Sequence, residues 1–246
     1  MEGRLYAGED YKKEFDSQDY LKTYYAFDSG TVAENEILKF NLRNLFQTFS
    51  SEICVCVCVC ITNNVIYQKG IILNHKKDRK KKEEEQVEEK DAGRIKCQIH
   101  CHLQSRWQEK EARLRRTVTR LLKCDANQPH PLGPAEVPPA DCVLTLLALE
   151  CACHDVDAYR AAIRNLVSLL KPGGHLVTGV TLGFQGYIVD KKKFFGLHLE
   201  KETVEKALQD AGCQVLSCQH SHISYSEGFC ISKGMCFAVA RKGPSA

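Results

Sequence analysis

Two cysteines and two histidines lie close together in one short segment. Cys97, His100, Cys101 and His102 supply thiol and imidazole groups, which are the usual protein ligands of zinc. Structural zinc sites pair two ligand couples that are well separated along the chain, and no second couple stands at a suitable distance. A zinc module is therefore an unfavoured alternative, and we predict no metal site.

Cysteine is unusually frequent, with 14 residues in a chain of 246. The N-terminal segment is charged and lacks the apolar stretch of a secretory signal, so we expect a cytoplasmic protein with free thiols rather than disulfides. Cys54, Cys56, Cys58 and Cys60 alternate strictly with valine. Because valine favours strands, we predict a strand over 53–61 that turns at Asn63-Asn64.

The segment 51–105 differs in character from the rest of the chain. Residues 75–91 are blocks of like charges that can bury almost nothing, so they predict a solvated helix or disorder. The basic run 76–82 is followed directly by acidic residues 83–89, which cancel its charge and disfavour nucleic-acid binding. The Cys-Val alternation is what a TG dinucleotide repeat encodes when it is translated, and the Lys/Glu tract is what a purine-rich stretch encodes. We therefore hypothesise that the segment 51–105 is translated non-coding sequence or a fast-diverged insertion.

The flanking segments carry the periodicity of folded protein. Residues 1–50 predict N-terminal cap helices, including one near 33–49 with Leu38, Leu42, Leu45 and Phe49 at helical spacing. A further helix is predicted over 106–123, from the apolar stripe formed by Trp107, Leu114, Val118 and Leu121.

Residues 106–246 continue with alternating strands and helices. The apolar run 142–149 is typical of a buried parallel strand. A helix over 157–170, with Tyr159, Ile163, Leu166 and Leu170 on its buried face, ends at a Lys-Pro-Gly-Gly sequence, and a strand over 175–182 follows. A helix near 200–211 precedes β segments near 214–219 and 234–241. This order predicts an α/β fold with a doubly wound, mostly parallel sheet.

The composition fits one α/β domain of this size. The chain is 43% hydrophobic and 26% charged, which excludes disorder throughout. A net charge of +3 is too small to indicate a nucleic-acid or membrane-surface partner. The longest apolar run is too short to span a bilayer.

Six stretches of this chain form a recognisable set: DYLKTYYAFDSG, ILKFNLRNLFQTF, LLKCDA, PPADCVLTLLALECAC, DAYRAAIRNLVSLLKPGGHLVT and CFAVARK. Together they resemble the nicotinamide, phenylethanolamine and indolethylamine N-methyltransferase family, and most closely its indolethylamine members. The resemblance implies a Rossmann-like class I methyltransferase that uses S-adenosylmethionine. The implied reaction is methyl transfer to the nitrogen of small arylalkylamines, or to thioether sulfur, by a monomer with no nucleic-acid or membrane partner.

The resemblance also implies cofactor-binding roles. Tyr20 and Tyr25 would close over the cofactor, since their ring faces can accept a cationic sulfonium. Asp125 and Ala126 would lie at the adenine, and Leu146 would contribute backbone at the end of a strand. From the residues alone, the tyrosines could equally pack the cap, and the other three could be surface or core residues.

On the substrate side, the polar residues of nicotinamide-specific members are absent. This sequence has Val180-Thr181-Leu182 where those members carry an Asp, and Phe184 and Gly196 at two serine positions. Phe184, Tyr187 and Phe195 would line an apolar, aromatic substrate pocket, or belong to the core. We predict no catalytic residue, since in-line methyl transfer depends mainly on positioning and exclusion of water.

One expected element is missing. A family member should have a glycine turn that admits the methionine part of the cofactor, but no two glycines in this chain are two positions apart. We therefore divide the chain into a cap (1–50), an atypical insert that replaces the glycine-turn region (51–105) and the rest of the α/β domain (106–246). Central strands should be disrupted or replaced within 51–105.

We expect the methyltransferase activity to be impaired. The alternative is that the chain is an inactive relative or a mis-spliced product without a working cofactor pocket.

Overall fold

The computed structural model describes residues 4–24, 32–50, 57–62, 68–74, 118–225 and 228–244, together with Glu109, Ala112 and Arg115–Arg116. Its elements in chain order are β1 (Leu5–Tyr6), α1 (Gly8–Glu14), α2 (Ser17–Tyr24), α3 (Val32–Ser50), β2 (Val57–Thr62), β3 (Gln68–Asn74), β4 (Val118–Cys124), β5 (Ala140–Leu146), α4 (Leu149–Ala152), α5 (Val156–Ser168), β6 (Leu170–Leu182), β7 (Tyr187–Val189), β8 (Lys192–Phe194), α6 (Lys201–Asp210), β9 (Cys213–Ser221) and β10 (Gly234–Lys242).

Seven strands form the main sheet, in the order β4-β3-β2-β5-β6-β10-β9. β2, β5 and β6 pair in parallel, and β3 and β10 run against their neighbours. β4 and β9 are antiparallel to these two reversed strands, so they run with the majority. Five of the seven strands therefore share one direction, but the sheet is mixed, because parallel pairing is confined to β2, β5 and β6 and the other four neighbouring pairs are antiparallel.

Helices cover both faces of this sheet. On one face, α5 contributes Tyr159, Ile163 and Leu166 and α6 contributes Val204 and Leu208 to the main hydrophobic core. On the other face, α3 packs on a smaller cluster contributed by β5, β6 and β10. The predicted doubly wound α/β fold is confirmed, and so is the buried face of α5, except that Leu170 is buried in β6 instead of the helix.

The N-terminal cap packs on a second, three-stranded sheet in the order β1-β8-β7. Its core is almost entirely aromatic, because α1 and α2 bring Tyr11, Phe15 and Tyr20 against Tyr187 and Phe194. Phe195 donates its backbone N–H to the carbonyl of Tyr6, which extends the β1–β8 pairing. The cap is thereby attached to the segment that directly follows β6.

The helix predicted over 106–123 extends too far. Residues 118–124 form β4 instead, which pairs with β3, and Leu121 is 57% exposed. The β-branched run Thr117-Val118-Thr119 favours a strand once a neighbouring strand is available. Of the predicted helix, the described residues Glu109, Ala112, Arg115 and Arg116 are helical.

Two other predictions need smaller corrections. α3 exists, but Leu42 is 54% exposed, and the helix faces the sheet through Ile37, Phe40, Asn41, Asn44 and Leu45. The Asn44 amide donates to the carbonyl of Phe40 at 2.9 Å, and Asn41 fits against the bare backbone of Gly179 although its Oδ1 has no hydrogen-bond partner among the described residues. α5 ends at Ser168, and residues 171–174 belong to the irregular start of β6 rather than to a separate turn.

The predicted strand in the Cys-Val repeat is confirmed for the residues that the structure describes. Val57–Thr62 pairs in parallel with β5, in the position where the first strand was expected to be replaced. Residues 53–56 and 63–67, the charged tract 75–91 and the Cys97–His102 cluster lie outside the described residues. Among the helices of the described part, none is long and apolar enough to cross a membrane.

Candidate active site

A small cleft that is open to solvent lies between the cap and the carboxyl ends of β5 and β6. Its walls come from α2, the start of α4, the residues after β6, and the segment between β9 and β10. Six side chains give it its chemical character: Tyr20, Tyr24, Glu150, Phe184, Tyr187 and Tyr225. The carboxyl edge of a parallel sheet is the usual place for a ligand in such folds.

Aromatic rings form most of this cleft. Tyr20 and Tyr24, one helical turn apart on α2, have ring centroids 4.9 Å apart. Tyr187 meets both edge-on, at 6.0 and 6.2 Å, and stacks on Phe184 at 6.1 Å. Tyr225 closes the far side, edge-on to Tyr24. Rings in these orientations present both faces and edges, an arrangement that suits a flat apolar group or a cation.

Tyrosine hydroxyls attach the cap to the cleft wall. The hydroxyls of Tyr11 and Tyr187 are hydrogen-bonded to each other, and burial raises the pKa of both, so both keep their protons. The Tyr24 hydroxyl lies 3.0 Å from the carbonyl oxygen of Ile188 and 2.8 Å from that of Phe229, and it donates to one of them at a time. These bonds fix the position of α2, and with it the Tyr20 ring.

Glu150 is the buried acidic group of the cleft. β5 ends at Leu146, Leu147 takes a left-handed backbone conformation with φ of 52°, and α4 then begins, which places Glu150 beside the end of β6. Its Oε1 accepts the backbone N–H of Thr181 at 2.9 Å. Its Oε2 is buried and has no hydrogen-bond partner among the described residues.

Burial raises the pKa of Glu150 to about 7, and the hydrogen bond from the Thr181 backbone opposes that rise only in part. A carboxyl group in this state can be protonated or ionised near neutral pH. Together with its unpartnered oxygen, this makes Glu150 able to accept a hydrogen bond or a proton from a ligand in the cleft.

The comparisons with known proteins agree with this architecture. A model of the NNMT/PNMT/TEMT family matches residues 3–57 and 76–243. The chain belongs to this family. Indolethylamine N-methyltransferase of Mus musculus is 55% identical over 267 residues, with 100% of both chains covered. The enzyme of the same name from Oryctolagus cuniculus is 46% identical over 99% of both chains, and nicotinamide N-methyltransferase of Homo sapiens 36% identical over 98% of both.

Membership of the NNMT/PNMT/TEMT family confirms the expected resemblance, including its indolethylamine side, and the predicted cofactor, S-adenosylmethionine. The family match omits residues 58–75, which contain β3 and almost all of β2. It resumes at residue 76, so it covers the charged tract.

The structure fits the sulfonium end of this cofactor. Tyr20, the one of the two predicted tyrosines that the structure describes, lines the cleft beside Tyr24 and Tyr187. Ring faces attract a cation by about 0.5–2 kcal/mol, depending on desolvation. Tyr25 lies outside the described residues.

Asp125 and Ala126 follow β4, and not a helix as expected. The Asp125 carboxylate accepts the backbone N–H of Asn127 at 3.0 Å, and the Asn127 amide donates to the carbonyl of Ala152 in α4 at 3.0 Å. Ala126 is fully buried, and its carbonyl accepts the Asn165 amide at 2.9 Å. Both residues therefore lie at the same sheet edge as α4, although neither lines the cleft.

Leu146 ends β5, but its side chain packs in the cluster beneath α3, against the bare backbone of Gly179. Only its backbone reaches the carboxyl edge of the sheet, and the next residue, Leu147, lines the cleft. A cofactor role for Leu146 through its backbone, as the resemblance implied, remains a prediction.

The three predicted substrate residues separate into two groups. Phe184 and Tyr187 line the cleft, whereas Phe195 packs against the main core. Phe184 also occupies the space beside Gly196, where a Cβ would overlap its ring. The two positions at which nicotinamide-specific members were expected to carry serine are thus in direct contact, and they form one steric unit.

Sequence reasoning assigned no site role to the other seven cleft residues, which are Tyr24, Leu147, Glu150, Cys151, Thr181, Tyr225 and Cys230. A signal existed for Glu150, because it is the lone acidic residue in the otherwise apolar stretch VLTLLALECA. Tyr225 and Cys230 lie in a loop far along the chain, and no local pattern marks them. In the described part of the chain, no three His, Cys, Asp or Glu side chains are grouped as a metal site.

Proposed function

We propose that this chain transfers a methyl group from S-adenosylmethionine to the nitrogen of small arylalkylamines, or to the sulfur of thioethers. Glu150 carries the proposal: a buried carboxyl group with one unpartnered oxygen faces an aromatic cleft. Aromatic walls accept the aryl group of the substrate, and the carboxyl group accepts the amine. The indolethylamine N-methyltransferases among its relatives support this acceptor class.

The protonation state of the amine acceptor explains the role proposed for Glu150. An alkylamine is mostly an ammonium ion near neutral pH, and the ion has no free lone pair for attack on a methyl group. A carboxyl group with a pKa of about 7 can hold the ammonium by a charge-assisted hydrogen bond and can take its proton. A thioether carries no proton and does not need this group.

The remaining residues position the cofactor and the acceptor and exclude water from them. When bound, S-adenosylmethionine supplies the methyl group on a cationic sulfur. Tyr20 would hold that sulfonium, Asp125 and Ala126 would lie toward the adenine, and Leu146 would contribute backbone. Phe184 and Tyr187 would orient the acceptor and keep water out.

A comparison of two acceptors tests the proposal. We expect Glu150→Gln to lower kcat/KM for tryptamine about 10–150-fold, which corresponds to the loss of a charged hydrogen bond of about 1.5–3 kcal/mol. The same variant should methylate dimethyl sulfide at close to the parent rate. Radiolabelled methyl transfer measures both.

Glu202→Gln, at an exposed position of α6, is the matched control for removal of one carboxyl group. Equal losses for both acceptors in Glu150→Gln would mean that the carboxyl group serves the fold or the cofactor rather than the amine. Methyl transfer to neither acceptor by the parent chain would reject the proposal itself.

The second candidate is a non-catalytic relative or mis-spliced product, and the missing glycine turn favours it. A family member should also carry a strand with a carboxylate that binds the ribose hydroxyls, and this chain shows none. Loss of the turn and of this ribose contact would cost roughly 3–6 kcal/mol, or about 10²–10⁴ in cofactor affinity. Impaired turnover follows if affinity falls to the millimolar range. Calorimetric titration distinguishes the methyltransferase from this second candidate. If millimolar S-adenosylmethionine and S-adenosylhomocysteine produce no heat of binding, only the second candidate remains.

The proposed enzyme acts in the cytosol as a monomer on a small molecule, without a nucleic-acid or membrane partner. We also propose the division into a cap (1–50), an atypical insert (51–105) and the rest of the α/β domain (106–246). Sequencing the transcript across codons 45–110 tests the insert, since a message without the TG repeat would show that it is not part of the natural protein.

A further inference from the structure

Two cysteine sulfurs face each other across the last two strands of the main sheet, away from the cleft residues. The Sγ atoms of Cys218 on β9 and Cys236 on β10 are 3.3 Å apart. Cys236 lies opposite His220 and Cys218 lies opposite Ala238, so the cysteines are diagonal neighbours on one face of the sheet. A disulfide holds its sulfurs about 2.05 Å apart, so the two sulfurs are already neighbours and must move closer to bond.

The two thiols are not equivalent. Cys236 is fully buried in the main core, whereas Cys218 is only partly buried and packs against that core from the edge strand. The hydrogen bond from the Cys236 thiol lowers the pKa of Cys218, and Lys201 adds to this while burial and Glu205 oppose it. The same contact raises the pKa of Cys236.

This asymmetry matches the division of labour in a reactive dithiol. The thiolate form is the nucleophile, and it is favoured at Cys218, which is only partly buried. Cys236 keeps its proton and stays within contact distance. Thiols that sense oxidants have the same features: a low pKa, solvent access and a second cysteine beside them.

We propose that Cys218 and Cys236 form a peroxide-sensitive dithiol site. The Cys218 thiolate attacks the outer oxygen of a hydroperoxide, the O–O bond breaks, and a sulfenic acid forms as the alcohol or water leaves. The Cys236 sulfur then attacks the sulfenic sulfur, and water leaves with the Cys236 proton. The sum is two thiols and one hydroperoxide giving one disulfide, one water and one alcohol, or a second water when hydrogen peroxide is the oxidant.

The position of the pair predicts a reversible bond. Diagonal neighbours in an antiparallel pair are farther apart than directly opposed residues, so the strands must adjust when the sulfurs join. A disulfide formed under strain is more easily reduced than a relaxed one. We therefore expect dithiothreitol to restore both thiols without unfolding the chain.

The test is a short treatment of the folded full-length chain with a small excess of hydrogen peroxide, followed by N-ethylmaleimide and tryptic mass mapping. The tryptic peptide 234–241 contains Cys236 as its only cysteine. We expect it to appear cross-linked to peptide 207–233 through Cys218, with the mass of the pair lower by about 2 Da than the sum of the free thiol peptides. Fragmentation separates Cys218 from Cys213 and Cys230.

Two variants check the roles of the sulfurs. Cys218→Ser should abolish the cross-link, whereas Cys213→Ser, a buried position on the same strand, should leave it intact. In Cys236→Ala, a sulfenic acid at Cys218 should persist and react with dimedone. Cys236 bonded to another cysteine in the parent chain, or Cys218 oxidised to sulfinic acid while Cys236 stays free, would overturn the proposal. Both outcomes are read from the parent protein, so they do not depend on whether a variant folds.

Discussion

At the scale of single residues, Glu150 is the side chain whose chemistry depends most on its surroundings. Its oxygen bonds the backbone of Thr181 inside a wall of rings, and burial raises its pKa to about 7. The same carboxyl group on the surface would be ionised at any physiological pH. The fold thus keeps a group that is ready to exchange a proton, at a cost in stability that can be measured.

That cost should depend on pH. Between pH 4.5 and 7, the unfolded chain releases the Glu150 proton while the folded chain keeps it, so the free energy of unfolding falls with rising pH. The fall amounts to about 3 kcal/mol and is complete above pH 7. Glu150→Gln cannot titrate. The stability of this variant relative to the parent should therefore rise by about that amount from pH 4.5 to pH 8.

Urea unfolding of both proteins at several pH values measures this difference, and titration of other groups cancels in it. Glu202→Gln supplies the baseline for loss of one exposed carboxyl group. A difference between Glu150→Gln and the parent that does not vary with pH would show that Glu150 is not a buried, proton-binding group.

The contact between Phe184 and Gly196 gives a second prediction. A Cβ at position 196 overlaps the Phe184 ring, so Gly196→Ala should lower the free energy of unfolding by about 1–3 kcal/mol. Once Phe184→Ala has removed the ring, the added methyl group should cost much less. A double-mutant cycle measures the coupling. Gly228→Ala, where a Cβ meets nothing within 4 Å, is the control; additive effects of the two changes would contradict the steric account.

At the scale of elements, the cap depends on helix α2 keeping its place over the cleft. α2 is only 8 residues long, and a helix of that length is not stable on its own. Its ring contacts with Tyr187 and the Tyr24 hydroxyl hold it against β7 and the segment around Phe229. The position of Tyr20 in the cleft follows from these contacts.

Tyr24→Phe should loosen this attachment while keeping the ring. Loss of one hydrogen bond of about 0.5–1.5 kcal/mol would raise the open fraction of the cap about 2–12-fold. Hydrogen exchange of the α2 amides should accelerate by the same factor. Tyr6→Phe, in β1 of the same cap with its ring on Phe194, is the control. Unchanged exchange in Tyr24→Phe would show that the rings alone hold α2.

At the scale of the whole molecule, the sheet is completed by a β2–β3 pair drawn from an unusual sequence. β2 pairs with β5 on one side and with β3 on the other, and β3 in turn pairs with β4. Removal of this pair would separate β4 from the rest of the sheet. The Cys-Val repeat therefore takes a structural role whatever its origin.

Hydrogen exchange provides a direct check on this topology. A strand that is paired on both sides is protected, so the amides of residues 57–62 should exchange at least tenfold more slowly than in an unfolded peptide. β5 in the same sheet gives the internal comparison. Exchange over 57–62 at the unfolded rate would remove β2 from the centre of the sheet.

Much of the fold could be read from local patterns. The buried face of α5 and the strands β5, β6, β9 and β10 followed from apolar runs and helical spacing, because burial selects those patterns directly. The wrong predictions concern elements whose structure depends on a tertiary contact. β4 forms because β3 lies beside it, and α3 presents Asn41 to the sheet because Gly179 has no side chain.

The sequence by itself determined the family, the α/β order of elements and the aromatic character of the cleft, since these depend on residue types and their spacing. Tertiary structure decided which groups meet: Glu150 with Thr181, Phe184 with Gly196, and Cys218 with Cys236. The members of each pair are separated by at least twelve residues along the chain, beyond the reach of a local sequence pattern. Their burial, pKa and contact distances arise only when the chain closes around them, so no local pattern could contain them.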